Sequence, residues 1–338
     1  MSYTRREFGT LALAGLPGAA MLFNSHGRVA REFADRPNSV WAGVQIGMNV
    51  PINFKAGGSF MSGDEILRRC VQIGSSVVEL RAQPVELFMG SPEGLAAVAA
   101  GNTGRGAGGR GRGTSLTPEE VAVQKAAADA MRKWRLSASM TKVREFRKMF
   151  DDAGIAIPVV KWDGIFGFDE AEADYAFTVT KALGAKAVSC EMPGEAALQA
   201  DTSRAGKFAA KHALMVGYHN HTTVTAETFE KAFSQSPANG ANLDIGHFLG
   251  GTKTSPLPFL RQHHARVTHI HVKDKTLKDV NVEFGKGDTP ITEALRMIRD
   301  NRWNIPAVIE LEYPIPQGSD AMAELVKCQD YCKQVLLS

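Results

Sequence analysis

Short apolar segments of strand length recur along the chain from about residue 40, and segments with helical periodicity separate them. This alternation is typical of a parallel α/β fold, in which each helix returns the chain to the start of the next strand. The segments predicted as strands are Trp41–Asn49, Ser76–Arg81, Ile155–Trp162, Ala185–Glu191, Leu214–His221, Ala241–His247, Arg266–Lys273 and Ala307–Tyr313. The segments predicted as helices are Gly63–Ile73, Thr117–Asp152, Glu170–Leu183, Thr202–His212, Ala226–Phe233, Leu257–His264, Pro290–Asp300 and Ser319–Leu336.

Eight predicted strands alternating with helices indicate one (β/α)8 TIM barrel over residues 38–338, with the last helix packed on its outside. A length of 338 residues is normal for a single barrel that carries insertions. An open, doubly wound sheet is the alternative fold. No Gly-x-Gly-x-x-Gly motif opens the first strand–helix unit, which argues against a dinucleotide-binding version of that sheet.

The composition excludes some classes of function. The chain has 39 Lys and Arg against 36 Asp and Glu, a formal net charge of +3, which is too even for nucleic-acid binding driven by overall charge. The hydrophobic fraction of 44% is ample for one large core. The cysteines form no Cys-x-x-Cys pair, so we expect packed free thiols rather than a disulfide framework or a zinc–thiolate site. They are Cys70, Cys190, Cys328 and Cys332.

The N-terminus carries a pattern of its own. Arg5 and Arg6 precede a short, weakly apolar run that is rich in glycine and alanine and extends from Leu11 to Phe23. This arrangement is typical of a twin-arginine export signal, and the run is too short to span a membrane. We therefore expect residues 1–30 to be a signal peptide and the protein to be exported to the periplasm, with no membrane span after the signal is removed. An ordinary N-terminal helix with a chance arginine pair is the alternative.

A glycine- and arginine-rich segment interrupts the repeats, and it reads GNTGRGAGGRGRG from Gly101 to Gly113. Such a composition cannot bury a core, so residues 101–115 are predicted to form a flexible loop or a plain linker. The segment belongs to the connection after the second predicted strand, and in a barrel such connections surround the active-site face. An RNA-binding tail is a weaker interpretation because the segment is short, internal and free of aromatic residues.

Ionisable side chains gather at the ends of five consecutive predicted strands, where barrel enzymes place their catalytic groups. Residues two apart on a strand point to the same side, so several of these side chains face together. Alone, a histidine here would be structural and an aspartate would cap the next helix. Together, they would be costly inside a barrel unless they bind a metal, and a mixed His, Asp and Glu set suits Mn²⁺, Mg²⁺, Co²⁺, Fe²⁺ or Zn²⁺. The residues are Glu191, His219, His221, Asp244, His247, His269, His271, Lys273, Glu310 and Glu312.

The motifs GYHNH, LDIGH, HIHVKD, FGKGD and IELEY follow one another in this order. As a set they resemble the xylose isomerase-like TIM-barrel superfamily of sugar (phosphate) isomerases and epimerases, from about residue 40 to the C-terminus. The resemblance implies a small-molecule sugar substrate and one divalent metal ion held by four residues. Three ligand positions fall on Asp244, His271 and Glu310. The fourth falls on His219, where the family's usual residue is a glutamate.

This substitution bears on the mechanism. In the ketose epimerases of the superfamily, glutamates on the fifth and eighth strands are the two acid/base groups, and here the first of them is replaced by His219. His219 or His221 could take its place as a base, because histidine titrates near neutral pH. Glu191, one strand earlier, could restore the second carboxylate or act as a further metal ligand. His247 is expected close by as an acid/base group or as support for the ligands.

The predicted function is a metal-dependent sugar isomerase or epimerase. A metal-stabilised enediolate would form when Glu310 or a histidine removes a proton next to a carbonyl, and Lys273 would neutralise the developing oxyanion. Pairing with Asp274 is the alternative role for Lys273. A lyase or hydratase acting by β-elimination on a keto-sugar or keto-glycoside is the first alternative function, and a sugar-binding protein without catalysis is the second. No basic DNA-binding surface supports the apurinic endonuclease activity of the superfamily, and an oligomer is possible.

Overall fold

The computed structural model of the protein describes residues 36–55, 61–92 and 117–338. The predicted signal at residues 1–30 and the predicted loop at residues 101–115 lie outside this part of the chain. The strands, in chain order, are β1 Val40–Trp41, β2 Val44–Val50, β3 Val77–Arg81, β4 Ala156–Lys161, β5 Ala187–Glu191, β6 Met215–His219, β7 Asn239–Asp244, β8 Val267–Val272, β9 Asp274–Lys275, β10 Asn281–Val282 and β11 Ala307–Ile309.

Eight of these strands form a closed parallel ring in the order β2, β11, β8, β7, β6, β5, β4 and β3. The ring closes because β11 pairs with both β8 and β2, and β2 also pairs with β3. The predicted TIM barrel is therefore confirmed, and the open doubly wound sheet is excluded. The strand β1 adds to β2 in antiparallel fashion, and β9 and β10 form a small antiparallel pair beside the barrel.

Each predicted strand corresponds to one barrel strand, with two informative differences at their ends. Trp41 belongs to β1, because Ala42 and Gly43 adopt positive φ angles of 48° and 82° and turn the chain before β2 begins. The strand predicted to reach His247 ends three residues earlier, since the side chain of Asp244 accepts a hydrogen bond of 2.7 Å from the His247 backbone N–H. This bond caps a helix, so the prediction of a strand at His247 is wrong.

The helices surround the barrel, and most begin at a side chain that satisfies a free backbone N–H group. The helix predicted over Thr117–Asp152 is in fact two helices, because Ala138 is extended and Ser139 caps a second helix through the N–H of Thr141. The helices are α1 Gly63–Gln72, α2 Ala82–Phe88, α3 Pro118–Ser137, α4 Met140–Asp152, α5 Glu170–Ala182, α6 Leu198–His212, α7 Ala226–Gln235, α8 Ile245–Thr252, α9 Leu257–His263, α10 Ile291–Asp300 and α11 Ala321–Leu337. Of these, α2 and α8 were not predicted.

The two faces of the barrel strands differ in chemistry. Outward residues such as Ile46, Met48 and Ile270 are fully buried under the helices. Near the carboxyl ends of the strands the inward residues are polar, which is unusual for a barrel interior. These polar residues form the candidate functional site. Deeper inside, Gly217 leaves room for its neighbour, since a Cβ atom there would lie 2.2 Å from the Thr268 hydroxyl.

The C-terminal helix α11 packs against α10 and the outer side of β2 and β11, as predicted. All four cysteines are buried free thiols, which confirms the prediction made from their spacing. Among the described helices, none combines the length and the apolar character needed to cross a membrane.

Candidate metal site

The fold brings four of the predicted residues together at the carboxyl end of the barrel. His219 ends β6, Asp244 ends β7, His271 lies next to the end of β8 and Glu310 directly follows β11. One ligand-type atom from each lies within 4.8 Å of those of the other three. His271 Nδ1 lies 3.1 Å from Glu310 Oε2 and 3.8 Å from Asp244 Oδ2. These spacings are short enough for one ion to contact all four residues.

Two atoms of this group support a metal directly. Within the described residues, His219 Nδ1 is buried and has no hydrogen-bond partner. Asp244 Oδ2 is also buried, and its contacts there are ion pairs with Lys273 Nζ at 3.0 Å and His271 Nδ1 at 3.8 Å. Burial, with the nearby Lys161 ammonium, holds the pKa of His219 well below its usual range, so the ring is neutral and able to coordinate. A buried polar atom without a partner is costly, and a divalent cation would satisfy His219 Nδ1 while it also binds the Asp244 carboxylate. The residues present therefore fit a metal of the predicted kind.

Asp244 serves two roles at once. Its Oδ1 atom caps α8 through the His247 N–H, while Oδ2 turns to the site. The helix-capping interpretation and the ligand interpretation of this residue are thus compatible, because each uses a different oxygen. Asn220 fixes the same turn from the other side, accepting a hydrogen bond from Asp244 N at 2.8 Å and donating to Asp244 O at 3.0 Å.

A buried carboxylate that the sequence analysis missed lies behind His271. Glu79, from β3 on the other side of the barrel, places Oε2 at 2.5 Å from His271 Nε2 and Oε1 at 3.4 Å from His269 Nε2. Neither Glu79 nor either histidine is exposed. Although burial lowers it, the carboxylates of Glu79 and Glu310 raise the pKa of His271 to about 10. In the protein without metal, His271 is therefore a cation between two carboxylates.

Lys273 joins the carboxylates of the site, and it does not pair with Asp274. Its Nζ atom lies 3.0 Å from Asp244 Oδ2, 2.7 Å from Glu310 Oε2 and 2.7 Å from Glu312 Oε2. Burial lowers the pKa of Lys273, but these three carboxylates outweigh it and raise the pKa above its usual value. Asp274 instead accepts backbone N–H groups of the FGKGD turn, from Gly285 at 2.8 Å and from Gly287 at 3.0 Å.

A second set of groups lies beside the four candidate ligands. Glu191 ends β5 and binds Lys161 Nζ through Oε1 at 2.5 Å and His221 Nε2 through Oε2 at 3.0 Å. It therefore lies outside the cluster formed by the four candidate ligands. The hydrogen bond that His221 Nε2–H donates to Glu191 raises the pKa of His221, and the other ring nitrogen, Nδ1, can accept or return a proton. The rings of His219 and His221 are 4.9 Å apart.

His247 stands next to this set from the first turn of α8. Its ring lies 4.8 Å from that of His221, and its Nε2 atom lies 2.9 Å from Lys273 Nζ. Burial and the Lys273 ammonium lower the pKa of His247 to about 3, so the ring is neutral. His219, His221 and His247 also offer nitrogens within 4.8 Å of one another, but the ammonium beside His247 disfavours a second cation there.

The comparisons with known proteins agree with this architecture. The family described as xylose isomerase-like TIM barrel matches residues 121–331. Among curated proteins, none matches the sequence significantly.

Solved structures similar to this chain include three with different activities. D-psicose 3-epimerase from Clostridium cellulolyticum, solved with D-tagatose, aligns with a TM-score of 0.58 at 11% identity over 87% of this chain and 99% of its own. A sugar phosphate isomerase/epimerase from Parabacteroides distasonis gives 0.55 at 15% identity over 89% and 98%. The "probable 3-DHS dehydratase" of petrobactin synthesis from Bacillus anthracis gives 0.56 at 12% identity over 85% and 98%. At these identities the likeness establishes the fold.

Proposed function

Because the chain belongs to the xylose isomerase-like TIM barrel family, we propose that it is a divalent-metal-dependent sugar isomerase or epimerase. The observation that carries the proposal is the cluster of His219, Asp244, His271 and Glu310, whose ligand-type atoms lie within 4.8 Å of one another. A TIM barrel by itself hosts many unrelated activities, so the proposal depends on this site and not on the fold.

The four residues would hold the cation, and their mixed nitrogen and oxygen donors suit the divalent ions named above. When bound, such an ion polarises a sugar carbonyl and lowers the pKa of the neighbouring C–H group. The ammonium of Lys273 also lies 2.7 Å from Glu312 Oε2, beside the candidate ligands, and from there it would neutralise negative charge that develops on the substrate.

His221 and Glu310 are the proposed acid/base pair. Glu191 accepts the Nε2–H of His221 and thereby leaves Nδ1 as the nitrogen that takes or returns a proton. Glu310 remains a carboxylate because, although burial raises its pKa, Lys273 and His271 hold it well below the usual range. A histidine thus supplies the second acid/base group that a glutamate supplies in the ketose epimerases.

A lyase or hydratase is the second candidate, and one observation favours it. His219, instead of a carboxylate, occupies the end of the fifth barrel strand, so the arrangement of two facing glutamates is absent from the described site. Elimination needs one base and one acid to assist the leaving group, and a histidine paired with a carboxylate can serve either purpose. The 3-DHS dehydratase described above shares the fold.

Metal analysis and substrate screening test the proposal together. His271→Ala should lose the bound metal after dialysis, whereas His264→Ala, which alters a partly exposed ring stacked on Trp303, should keep it. Keto-sugars would then be screened by mass spectrometry in D₂O. Deuterium uptake without loss of water supports an isomerase or epimerase, and loss of water or of an alcohol supports the lyase. If the wild-type protein binds no divalent metal, both enzymatic candidates are contradicted, and a sugar-binding protein without catalysis is the remaining interpretation.

We also propose that the enzyme works in the periplasm after twin-arginine export. The support is the Arg5–Arg6 pair followed by the weakly apolar run from Leu11 to Phe23. The twin-arginine route carries folded proteins, which suits an enzyme that acquires its metal before export.

A further inference from the structure

A cavity of about 140 Å³ opens on the same end of the barrel as the candidate metal site. It lies between α2, α3, α5 and the segment that follows β4. Gln83, Asp163, Arg135 and Phe168 are among the residues that form its wall. The cavity is large enough for a small molecule, and the mechanism proposed above makes no use of it.

One buried side chain of this cavity lacks a partner. Gln83 is only 8% exposed, and its Nε2 group donates to Asp163 Oδ2 at 3.0 Å. Asp163 fixes the orientation of the amide, because a carboxylate accepts hydrogen bonds and only the NH₂ group can donate one. Gln83 Oε1 therefore remains, and it has no hydrogen-bond partner among the described residues. A ligand that satisfies it must carry a donor, such as a hydroxyl group.

The charges of the wall disfavour an anionic ligand. Arg135 is held by Glu86 at 2.7 Å and by Glu172 at 2.9 Å. Asp163 binds the guanidinium of Arg81. Three carboxylates thus face two guanidinium groups, so the wall is slightly negative and repels phosphate or carboxylate groups. The ring of Phe168 adds an apolar surface. The ligand that fits this cavity therefore has hydroxyl donors, no charge and an apolar face. A sugar ring has these properties.

Asp163 and Arg81 connect the cavity with the candidate metal site. Arg81 follows Glu79 by two residues on β3, so both side chains point into the barrel, and Glu79 contacts His271. The Glu310 carboxylate contributes to the raised pKa of Arg81, which places the two groups in one electrostatic neighbourhood. The ion pair of Arg81 and Asp163 therefore belongs both to the wall of the cavity and to the surroundings of the candidate metal site.

We propose that the cavity is a second sugar subsite and that the substrate is a keto-sugar that carries another uncharged sugar ring. This inference rests on the proposed function and specifies its substrate class. Glu86, Arg135 and Phe168 would enclose the outer ring, and Gln83 would accept one of its hydroxyl groups.

Isothermal titration of Mn²⁺-loaded protein with D-fructose and with lactulose, a fructose that carries a galactosyl ring, tests the inference. We expect lactulose to bind at least tenfold more tightly than D-fructose. Gln83→Met, which keeps the side-chain length but removes the amide, should weaken lactulose binding about tenfold and leave D-fructose binding unchanged.

Gln329→Met is the matched control, because Gln329 of α11 is also buried, lies away from the cavity, and has an Oε1 atom that no described residue meets with a hydrogen bond. Equal affinities for the two sugars, no binding of either, or equal effects of the two substitutions would overturn the inference. The metal content of the same samples reports on the proposed function separately. Metal-loaded wild-type protein without a preference for lactulose therefore contradicts only the second subsite.

Discussion

Glu79 offers the most direct test of how the barrel prepares its metal ligand. Its carboxylate lies 2.5 Å from His271 Nε2, and both side chains are fully buried. A histidine whose Nε2 carries a proton for a carboxylate coordinates a metal through Nδ1, the nitrogen that here faces Glu310 at 3.1 Å. Glu79 would thus choose the coordinating nitrogen and increase its basicity without touching the metal.

The proposed perturbation is Glu79→Gln, which keeps the shape and one acceptor oxygen but removes the charge. A hydrogen bond to a charged group contributes about 1.5–3 kcal/mol, and a neutral one about 0.5–1.5 kcal/mol. The difference, about 1–2 kcal/mol, corresponds to a loss of metal affinity of roughly 5- to 30-fold. Loss of a carboxylate that orients a metal-binding histidine typically costs about 10- to 100-fold, which agrees in order of magnitude.

The assay is a competition titration of Co²⁺ or Zn²⁺ against a chelator, with thermal unfolding of the metal-free protein measured in parallel. Glu324→Gln is the matched control, since Glu324 of α11 is also buried and accepts a hydrogen bond of 2.8 Å from Tyr313. We expect the metal affinity to fall in Glu79→Gln and to stay at the wild-type level in Glu324→Gln. Wild-type affinity in Glu79→Gln, combined with loss of metal in His271→Ala, would refute the role given to Glu79.

Two further predictions concern protons and export. Because the pKa of His271 is about 10 without metal, the ring is protonated at pH 7–8, and coordination through Nδ1 should release about one proton per ion. Calorimetry in buffers of different ionisation enthalpy measures the number of protons released per ion. The apparent metal affinity should also rise about tenfold per pH unit up to about pH 10. Metal binding without proton release would contradict the protonated state of His271. Replacing Arg5 and Arg6 by Lys should retain the protein in the cytoplasm, as cell fractionation would detect, whereas normal export of the double variant would refute the signal.

The grouping of the site's side chains at the carboxyl ends of the strands was predictable, because a period of two along each strand fixes which side chains point to the same side. Neighbouring parallel strands then place these side chains at one edge, as the register pairing of Asp244 with His271 illustrates. Glu79 escaped this reasoning, since its partner His271 is 192 residues away and β2 and β11 separate the two strands in the ring. A single acidic residue between the apolar residues Val78 and Leu80 of β3 was the signal available in the sequence.

The error at His247 has a different origin. In the segment from Ala241 to Leu249, apolar residues stand at positions 241, 243 and 245 with the period of a strand and at positions 245, 248 and 249 with that of a helix. The pattern therefore did not fix where the strand ends and the helix begins. The side chain of Asp244 decides between them, because its Oδ1 atom binds the N–H of His247 and starts α8. His247 consequently approaches Lys273 from a helix rather than from a strand end. Capping chemistry, and not hydrophobic pattern, determined this boundary.

Lys273 raises the question of how an ammonium group and a divalent cation can share the same carboxylates. Asp244 and Glu310 are both contacts of Lys273 and candidate ligands, so a bound cation would repel the ammonium from them. Glu312 resolves the conflict: it is not among the candidate ligands, is partly exposed and already lies 2.7 Å from Lys273 Nζ. The ammonium can therefore keep a counter-ion when the other two oxygens turn to a metal. The two glutamates that follow β11 thus have different roles. Glu310 would bind the metal, and Glu312 would pair with Lys273.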